Sequence, residues 1–357
     1  MQKESIYDVA IIGGGPAGST FARELARSCP DKKIAILDGR ICGGSKVCGG
    51  LLAPDAQKVL AMLDLTLPKK LLADPQIFDV CTLDLASGVL RNYQRHYLNI
   101  DRGEFDEWLM SLISDSVERI TARCTNLVSC DDGLFKLTLD INGEIRELVS
   151  GCVVGADGAS SVVRRRFFDL PKKTYIAIQE YFEDAGDKTV NYSCVFDPKT
   201  SDSCSWTIRK NEYFIFGGAF EREGCKAAYE KQRERLESFL GYSFGEAIKR
   251  EACLVTSPRR SSDFVLGKDG VFLIGEAAGF ISSSSFEGIS SAMLSGKYLA
   301  DSFAKGKDLK KTLGEYKRKT KKLRLKLRFK IPKMRILCSP FLRGLIMKSG
   351  IASIKKY

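Results

Sequence analysis

The residues whose spacing most clearly indicates chemistry are three glycines near the N-terminus. Gly13, Gly15 and Gly18 have the Gly-x-Gly-x-x-Gly spacing of a turn that binds phosphate groups. The first glycine permits a tight bend, the second lets the backbone approach a pyrophosphate, and the third lets the following helix pack closely. The free N–H groups and the dipole of that helix favour negative charge. We therefore predict a dinucleotide site here, to which Pro16 and Ala17 also contribute.

Three acids follow apolar runs further along the chain, where buried strands would end. A carboxylate in such a place can accept hydrogen bonds from ribose or ribityl hydroxyls, and small residues beside it let the backbone contact a flat ligand. The cofactor contacts predicted from these segments are Asp38 with Gly39, Asp157 with Gly158, and Gly275 with Glu276 and Gly279.

These motifs need a parallel sheet to hold them. The chain opens with a strand pattern at 6–12, a helical pattern at 16–29 and a second strand pattern at 33–37, which is the βαβ start of a Rossmann-type sheet. Apolar spacing predicts a helix at 103–117. Alternating patterns between about 175 and 255 predict the strands of a second sheet.

Taken in order, these motifs resemble the FAD-binding signature of the group A flavoprotein monooxygenases and their relatives, the geranylgeranyl reductases. The resemblance covers roughly 6–304 and implies one bound FAD in a glutathione-reductase-like domain. The third motif of the family reads Gly-Asp, where this chain has Gly275-Glu276. In the family the next helix starts at the flavin, which implies that the backbone of Gly288 and Ile289 contacts the flavin and stabilises negative charge on its reduced form.

Within that superfamily the chain is most similar to the geranylgeranyl reductases. Lys46, Cys48 and Gly49 lie in a segment that resembles the Pro-Cys-Gly loop of that family. Arg102 begins a segment that resembles its R-x-x-F-D-x-x-L helix start. The resemblance implies that these four residues contact FAD, and that Cys48 or a bound water is the proton source in catalysis.

Two aromatic residues of the second sheet are predicted to line the substrate pocket, Trp206 and Phe216. Trp206 lies in a partial match to the aromatic-x-Trp-x-Phe-Pro motif that lines the lipid-chain pocket of the family. A core aromatic on an inner strand face is an equal alternative for Trp206. The resemblance implies a reductase that transfers hydride from flavin N5 to a carbon–carbon double bond of a lipophilic, isoprenoid-like substrate.

The predicted fold is α/β, with a discontinuous FAD-binding domain, an inserted β-sheet domain and a basic helical tail. We assign 1–80, 96–174 and 262–304 to the FAD-binding domain, 81–95 and 175–261 to the substrate-binding domain, and 305–357 to the tail.

Two other functions stay open. One is a monooxygenase that hydroxylates an aromatic substrate, and the other is a non-catalytic flavin-binding protein tethered to a membrane. A flavin-dependent halogenase is disfavoured because the Trp-x-Trp-x-Ile-Pro motif of that family is missing. The chain has no second complete glycine motif, so the electron donor is expected to be NAD(P)H bound transiently, or a ferredoxin or flavodoxin.

Composition argues against several classes of site. The twelve cysteines include no C-x-x-C pair, and His96 is the single histidine, which disfavours a zinc site and a histidine-based catalytic scheme. We expect no metal. Since neither a signal peptide nor a run of about 18 apolar residues is present, we expect a cytoplasmic monomer with its cysteines reduced.

Positive charge is concentrated in the tail. Residues 305–357 contain 19 Lys and Arg against two acids, whereas the whole chain has a net charge of +12. The bases alternate with Leu and Phe, which suits a peripheral contact with an anionic membrane on its inner face. A solvated basic helix is an equal alternative, and no nucleic-acid recognition module is evident.

Overall fold

The structure is a computed structural model that describes residues 6–39, 46–170, 173–186 and 189–355. Its strands are β1 (Val9–Ile12), β2 (Ile34–Leu37), β3 (Leu51–Leu52), β4 (Ile77–Asp84), β5 (Val89–Asn99), β6 (Val117–Ile120), β7 (Arg123–Ser129), β8 (Phe135–Ile141), β9 (Glu144–Ser150), β10 (Val153–Gly155), β11 (Thr174–Glu183), β12 (Tyr192–Phe196), β13 (Ser205–Lys210), β14 (Tyr213–Phe220), β15 (Lys249–Thr256), β16 (Gly267–Lys268) and β17 (Val271–Leu273). Its α-helices are α1 (Pro16–Ser28), α2 (Pro54–Met62), α3 (Arg102–Ser111), α4 (Val162–Phe167), α5 (Cys225–Leu240), α6 (Ile289–Lys305), α7 (Leu309–Lys319), α8 (Lys321–Cys338) and α9 (Pro340–Ser349).

A six-stranded sheet carries the glycine turn. Its strand order is β16-β17-β10-β1-β2-β6, and β1 pairs in parallel with both β2 and β10. Every residue of β1 and β2 is buried, as expected for parallel strands covered on both faces. The carboxyl ends of β1, β2 and β10 meet at one edge, which is where ligands bind in sheets of this type. The predicted α/β fold with a parallel, Rossmann-type sheet is confirmed.

The segment predicted as one helix at 103–117 is divided in the structure. Helix α3 ends at Ser111, and β6 follows it as the strand that pairs in parallel with β2. Ile113 and Val117 are both buried at a spacing of four residues. The helical spacing of apolar residues therefore continues beyond the helix into the loop and the next strand. For this reason the spacing could not indicate where the helix ends.

The second sheet has eight strands in the order β15-β11-β14-β13-β12-β4-β5-β3. Strands β4 and β5 join it from residues 77–99, and β11 to β15 join it from residues 174–256. Helix α5 packs on one face, where Phe214, Phe216 and Phe220 form a core with Tyr229 and Leu236. The other face is turned toward the carboxyl edge of the parallel sheet, because residues of both sheets line one cavity.

The C-terminal helices pack against the body of the protein. The buried Tyr316 of α7 donates a hydrogen bond to the carbonyl oxygen of Leu273 in β17 (3.0 Å). Leu323 and Leu327 of α8 are buried in the core of the parallel sheet, and α9 contacts β5. In the described part of the chain, no helix combines the length and the apolar character needed to cross a membrane.

Candidate functional site

A cavity of about 740 Å³ lies where the carboxyl edge of the parallel sheet faces the second sheet. Its size is within the range of small-molecule and cofactor sites, and it is lined by the ends of β1 and β2 and by side chains of β11, β13 and β15. Of the predicted cofactor contacts, those that line it are Gly13, Gly15, Pro16, Ala17, Asp38, Gly39, Lys46, Cys48, Gly49, Arg102, Asp157, Gly158, Glu276, Gly288 and Ile289.

The glycines of the first turn have different structural roles. Gly13 has a φ of +109°, and a Cβ at Gly18 would overlap the carbonyl oxygen of Gly13, so these two glycines let the turn and α1 pack together. Gly15 is extended, and a Cβ added to it meets no atom within 4 Å. The space in front of Gly15 is therefore open for a ligand. Helix α1 begins there without a side-chain cap and without an acid in its first turn, which leaves its N–H groups available to an anion.

Helix α6 presents a second N-terminus to the same cavity. Gly288 precedes the helix and Ile289 begins it, with no side-chain cap and no acid in the first turn. Both residues line the cavity. A 17-residue helix whose terminal N–H groups are uncapped favours negative charge at that point.

Asp157 is half-buried in the cavity wall and holds the loop that leads into α4. Its Oδ2 accepts hydrogen bonds from the N–H groups of Val162 (2.7 Å) and Val163 (3.4 Å). Its Oδ1 is buried without a hydrogen-bond partner. Burial raises the pKa of this carboxyl, while hydrogen bonds from Ser161 and nearby backbone groups act in the opposite direction. The orphaned oxygen is a polar group that a bound ligand could satisfy.

Asp38 and Gly39 lie at the end of β2, beside the glycine turn. The backbone N–H of Asp38 bonds to the carbonyl oxygen of Ile120 in β6 (3.0 Å). A Cβ at Gly14 would come within 2.5 Å of Asp38 Oδ2, so the carboxylate lies against the turn itself. This position fits the predicted contact with a ribose.

Glu276 lies in the cavity wall, but protein groups already contact both of its carboxylate oxygens. Oε2 forms an ion pair with Lys46, and Oε1 accepts from the Thr256 N–H (2.8 Å) and hydroxyl (3.1 Å). Burial opposes the charge on Lys46, but the Glu276 carboxylate outweighs it and raises the pKa of this lysine. The pair ties the segment around Lys46 to the turn after β17.

Three predicted cofactor glycines pack against protein rather than line the cavity. Gly18 packs against Gly13, and a Cβ at Gly275 would come within 2.8 Å of the Ala17 side chain. A Cβ at Gly279 would come within 2.6 Å of the carbonyl oxygen of Asp263. Their contribution to the cavity is indirect, because they allow the neighbouring elements to approach one another.

Cys48 and Arg102 come together in the cavity. Arg102 is held by Asp106 through Nε (2.8 Å) and Nη2 (3.2 Å), and it lies close enough to the Cys48 thiol for the two groups to interact electrostatically. Burial lowers the pKa of Arg102, but Asp106 and Cys48 outweigh burial, so this pKa lies above its usual value. The Gly50 N–H points to the Cys48 sulfur at 3.4 Å. These contacts fix the thiol at the surface of the cavity.

The second sheet supplies the opposite wall, and one predicted pocket residue is absent from it. Trp206 lines the cavity, donates from Nε1 to Gln179 Oε1 (3.2 Å) and lies on Gly217, whose missing side chain leaves room for the indole. Phe216 does not line the cavity. Successive strand residues point to opposite faces, so Phe216 joins the core under α5 and stacks on Tyr229. The prediction that Phe216 contacts substrate is therefore wrong.

Several residues of the site were not predicted from sequence. Tyr97 donates from its hydroxyl to Glu287 Oε1 (2.8 Å), and both residues line the cavity. Burial, followed by the Glu287 carboxylate, raises the pKa of Tyr97. Just behind the wall, Lys210 Nζ bonds to Asn99 Oδ1 (2.7 Å) and the Ile100 carbonyl (2.5 Å), and burial lowers its pKa to about 8. Among the residues that the structure describes, no group of His, Cys, Asp and Glu could hold a metal ion.

Comparison with known proteins shows which family the chain belongs to. The chain is 46% identical over 352 residues to the protein CbrA of Shigella flexneri serotype 5b (strain 8401), across 98% of this chain and 94% of the relative. The chain belongs to the CbrA family. No protein-family model matches this CbrA family member.

Two solved structures resemble this CbrA family member along most of its length. A geranylgeranyl bacteriochlorophyll reductase-like protein from Thermoplasma acidophilum superposes with a TM-score of 0.78 and 18% identity, over 94% of this chain and 88% of that one. The p-nitrophenol 4-monooxygenase PnpA from Pseudomonas putida DLL-E4 superposes with a TM-score of 0.71 and 16% identity, over 97% and 94%. The fold is therefore that of flavin-dependent oxidoreductases and monooxygenases.

Proposed function

We propose that this chain is an FAD-dependent oxidoreductase that reduces carbon–carbon double bonds of a lipophilic, isoprenoid-like substrate. The observation that carries the proposal is the cavity itself. Two uncapped helix N-termini, of α1 and α6, open into one space of about 740 Å³, and the opposite wall comes from a β-sheet. Helix N-termini suit the charges of a dinucleotide and of a reduced flavin.

The described residues would suit FAD at four places. The open space at Gly15 and the start of α1 would hold the pyrophosphate, and Asp38 would accept hydrogen bonds from a ribose. Asp157 has a buried oxygen without a partner, which a hydroxyl of the cofactor would satisfy. The N-terminus of α6 would face the flavin ring. When bound and reduced, FAD supplies a hydride for addition to a carbon–carbon double bond.

A lipophilic substrate is supported by the wall from the second sheet. Ala177, Ile208 and Val255 line this part of the cavity together with Trp206. Apolar side chains bind a hydrocarbon chain by removing its surface from water. Cys48 lies on the cavity surface beside Arg102, where its thiol could donate a proton to a substrate carbon.

The test is an anaerobic turnover experiment. The purified protein is first analysed for bound flavin by absorbance and by chromatography against FAD and FMN. The bound flavin is then reduced chemically, and polyprenyl or quinone substrates are added without oxygen. Reoxidation of the flavin with formation of a saturated product, detected by mass spectrometry, is the expected result. NAD(P)H and reduced ferredoxin or flavodoxin are compared as electron donors in the same assay.

Other outcomes would contradict the proposed reaction. A hydroxylated aromatic product that requires O₂ would identify a monooxygenase. A bound flavin that neither accepts nor passes electrons at useful rates would identify a binding protein instead. A protein that retains no flavin, although it is folded, would refute the cofactor assignment as well.

A further inference from the structure

The C-terminal helices present an unusual surface to solvent. Eighteen large apolar side chains are exposed in the described residues, and nine of them lie between Leu325 and Ile354. Phe329 is 68% exposed and Phe341 is 73% exposed. Single exposed apolar residues are common, but such a concentration within 30 residues indicates a surface that contacts another phase or molecule.

Helix α8 has apolar residues on two opposite sides. Leu323, Leu327 and Met334 are buried against the body. At 3.6 residues per turn, the exposed Leu325, Phe329 and Ile336 lie on the side directly opposite. The buried apolar residues are needed to dock the helix on the body. The exposed apolar residues make no such contact, so packing within the chain does not account for them.

Helix α9 packs against α8, also carries exposed apolar side chains, and is held firmly. Phe341, Leu345 and Ile346 are exposed. Arg343, between them, is buried and forms an ion pair with Asp84 of β4 (3.0 Å). The pair fixes the orientation of α9, so its apolar side chains stay turned outward. We call the outer sides of α8 and α9, from Leu325 to Ile346, the outer face.

Basic residues flank the outer face on both sides. Lys322, Lys330 and Lys333 lie on one flank of α8, and Arg328 and Arg335 lie on the other. No acid follows Glu315 in the sequence, so this part of the chain has no negative side chain of its own. Burial and the neighbouring charges of Lys330 and Arg95 lower the pKa of Lys333, although the Glu287 carboxylate acts in the opposite direction. An anionic surface would relieve that repulsion.

We propose that the outer face binds the surface of an anionic lipid bilayer. Phe329, Phe341 and Leu345 would insert among the headgroups and acyl chains, while the flanking bases contact lipid phosphates. Duplex nucleic acid would neutralise the bases but would leave the apolar side chains without a partner. The inference goes beyond the proposed reaction and does not depend on it, because it rests on residues outside the cavity.

The test is a flotation experiment with the full-length protein as purified. Vesicles of phosphatidylcholine alone are compared with vesicles that contain roughly one third phosphatidylglycerol. Binding to the anionic vesicles should be at least about tenfold tighter, and about 1 M NaCl, which reduces the Debye length to about 3 Å, should weaken it strongly. The triple variant Phe329→Ser, Phe341→Ser and Leu345→Ser should bind the anionic vesicles at least about tenfold more weakly than the wild-type protein does at the same salt concentration.

A matched control removes exposed apolar residues elsewhere. Ile145 and Ile248 are 62% and 56% exposed and belong to neither α8 nor α9, so Ile145→Ser with Ile248→Ser should leave vesicle binding unchanged. All substituted side chains are exposed, and thermal melts check that each variant is folded. No flotation of the wild-type protein, or equal flotation of the triple variant, would overturn the proposal. The proposal would also be overturned if sedimentation showed that the wild-type protein is a dimer and that the triple variant is a monomer. The outer face would then be a contact between two copies of the chain.

Discussion

At the scale of single residues, a substitution at Gly15 should affect ligand binding much more than folding. Gly13 and Gly18 are needed for the turn to close, but Gly15 is extended and faces open space. We predict that Gly15→Val fills the proposed pyrophosphate space and reduces flavin affinity by at least about a hundredfold, because a backbone approach to phosphate tolerates no side chain. The free energy of unfolding of the flavin-free protein should fall by only about 1 kcal/mol, since valine is a poor N-cap residue. Flavin titration and urea unfolding measure the two effects.

The control for Gly15→Val is a helix cap that does not line the cavity. Ser339 caps α9 by accepting from the Leu342 N–H (3.4 Å). Ser339→Val should cost about 1 kcal/mol as well, but leave flavin affinity unchanged. Equal flavin affinity in wild-type protein and Gly15→Val would show that the cofactor does not lie on this turn.

Cys48 carries the proposed proton transfer, and its contribution can be separated from cofactor binding. Cys48→Ser should keep the contacts with Arg102 and retain flavin, while Cys48→Ala should lower the rate of double-bond reduction by about a hundredfold, as is typical for loss of a general acid. Single-turnover rates in H₂O and D₂O measure the effect. Wild-type protein should show a solvent isotope effect on the step that Cys48→Ala slows.

Cys253 provides a matched thiol for that experiment. It lines the same cavity, and burial raises its pKa to about 11. Cys253→Ala should change the single-turnover rate by less than about threefold, because no proton transfer is assigned to it. If both alanine variants slow the reaction equally, packing rather than proton donation explains the effect of Cys48.

Single residues also show what sequence reasoning could not predict. Lys210 follows Arg209 and looks like an ordinary strand charge, but its neighbours Asn99 and Ile100 come from 111 and 110 residues earlier. Phe216 was assigned to the wrong side because every residue of β14 after Tyr213 is buried. When both faces of a strand are covered, alternation no longer indicates which face contains the site.

At the scale of secondary structure, the order of elements was predictable near the glycine turn. The pattern of strand, glycine turn and helix predicted β1, α1 and β2 to within one residue at most ends, because buried parallel strands and a Gly-Pro helix start have strong local signals. The N-terminus of α6 has no such signal of its own. Only the family resemblance placed Gly288 and Ile289 at the cavity.

A buried ion pair of Arg343 with Asp84 helps to dock α9 on the body of the protein. We predict that Arg343→Ala costs roughly 3–5 kcal/mol, because it leaves Asp84 buried without its partner. Urea unfolding measures the loss, and limited proteolysis should then cleave the chain near the start of α9. Arg335→Ala, which removes an exposed base of α8, is the control and should change the free energy of unfolding by no more than about 0.5 kcal/mol.

The same pair predicts a dependence on pH. Burial raises the pKa of Asp84, but the hydrogen bond and charge of Arg343 outweigh burial and hold this pKa below 3.8. The stabilisation is therefore present above that pH and is lost as the pH falls through the lowered pKa. The difference in stability between wild-type protein and Arg343→Ala should shrink in acid. A difference that is constant from neutral pH to about pH 3 would exclude this ion pair as the cause.

For the whole molecule, the central feature is a cavity built from distant parts of the chain. The glycine turn, Asp157, Arg102, Glu276 and the start of α6 come from five separate segments, and the opposite wall comes from the second sheet. Local patterns predicted most of the individual motifs, but the closing of two sheets over one space is a property of tertiary packing. A ligand that contacts all segments at once should therefore stabilise the molecule as a unit.

Hydrogen exchange tests this coupling directly. Adding FAD to flavin-free protein should slow amide exchange together at Gly13–Ala17, Asp157–Gly158 and Gly288–Ile289, because one ligand would cover all three segments. Exchange in α5 and α9, which lie away from the cavity, should change only through global stability. At a free FAD concentration of about 100 times Kd, the gain should approach about 2.7 kcal/mol, and Gly15→Val should reduce it to about 0.4 kcal/mol or less at the same FAD concentration. Protection confined to the glycine turn would mean that the ligand binds there without spanning the cavity, and the assignment of α6 to the flavin ring would then fail.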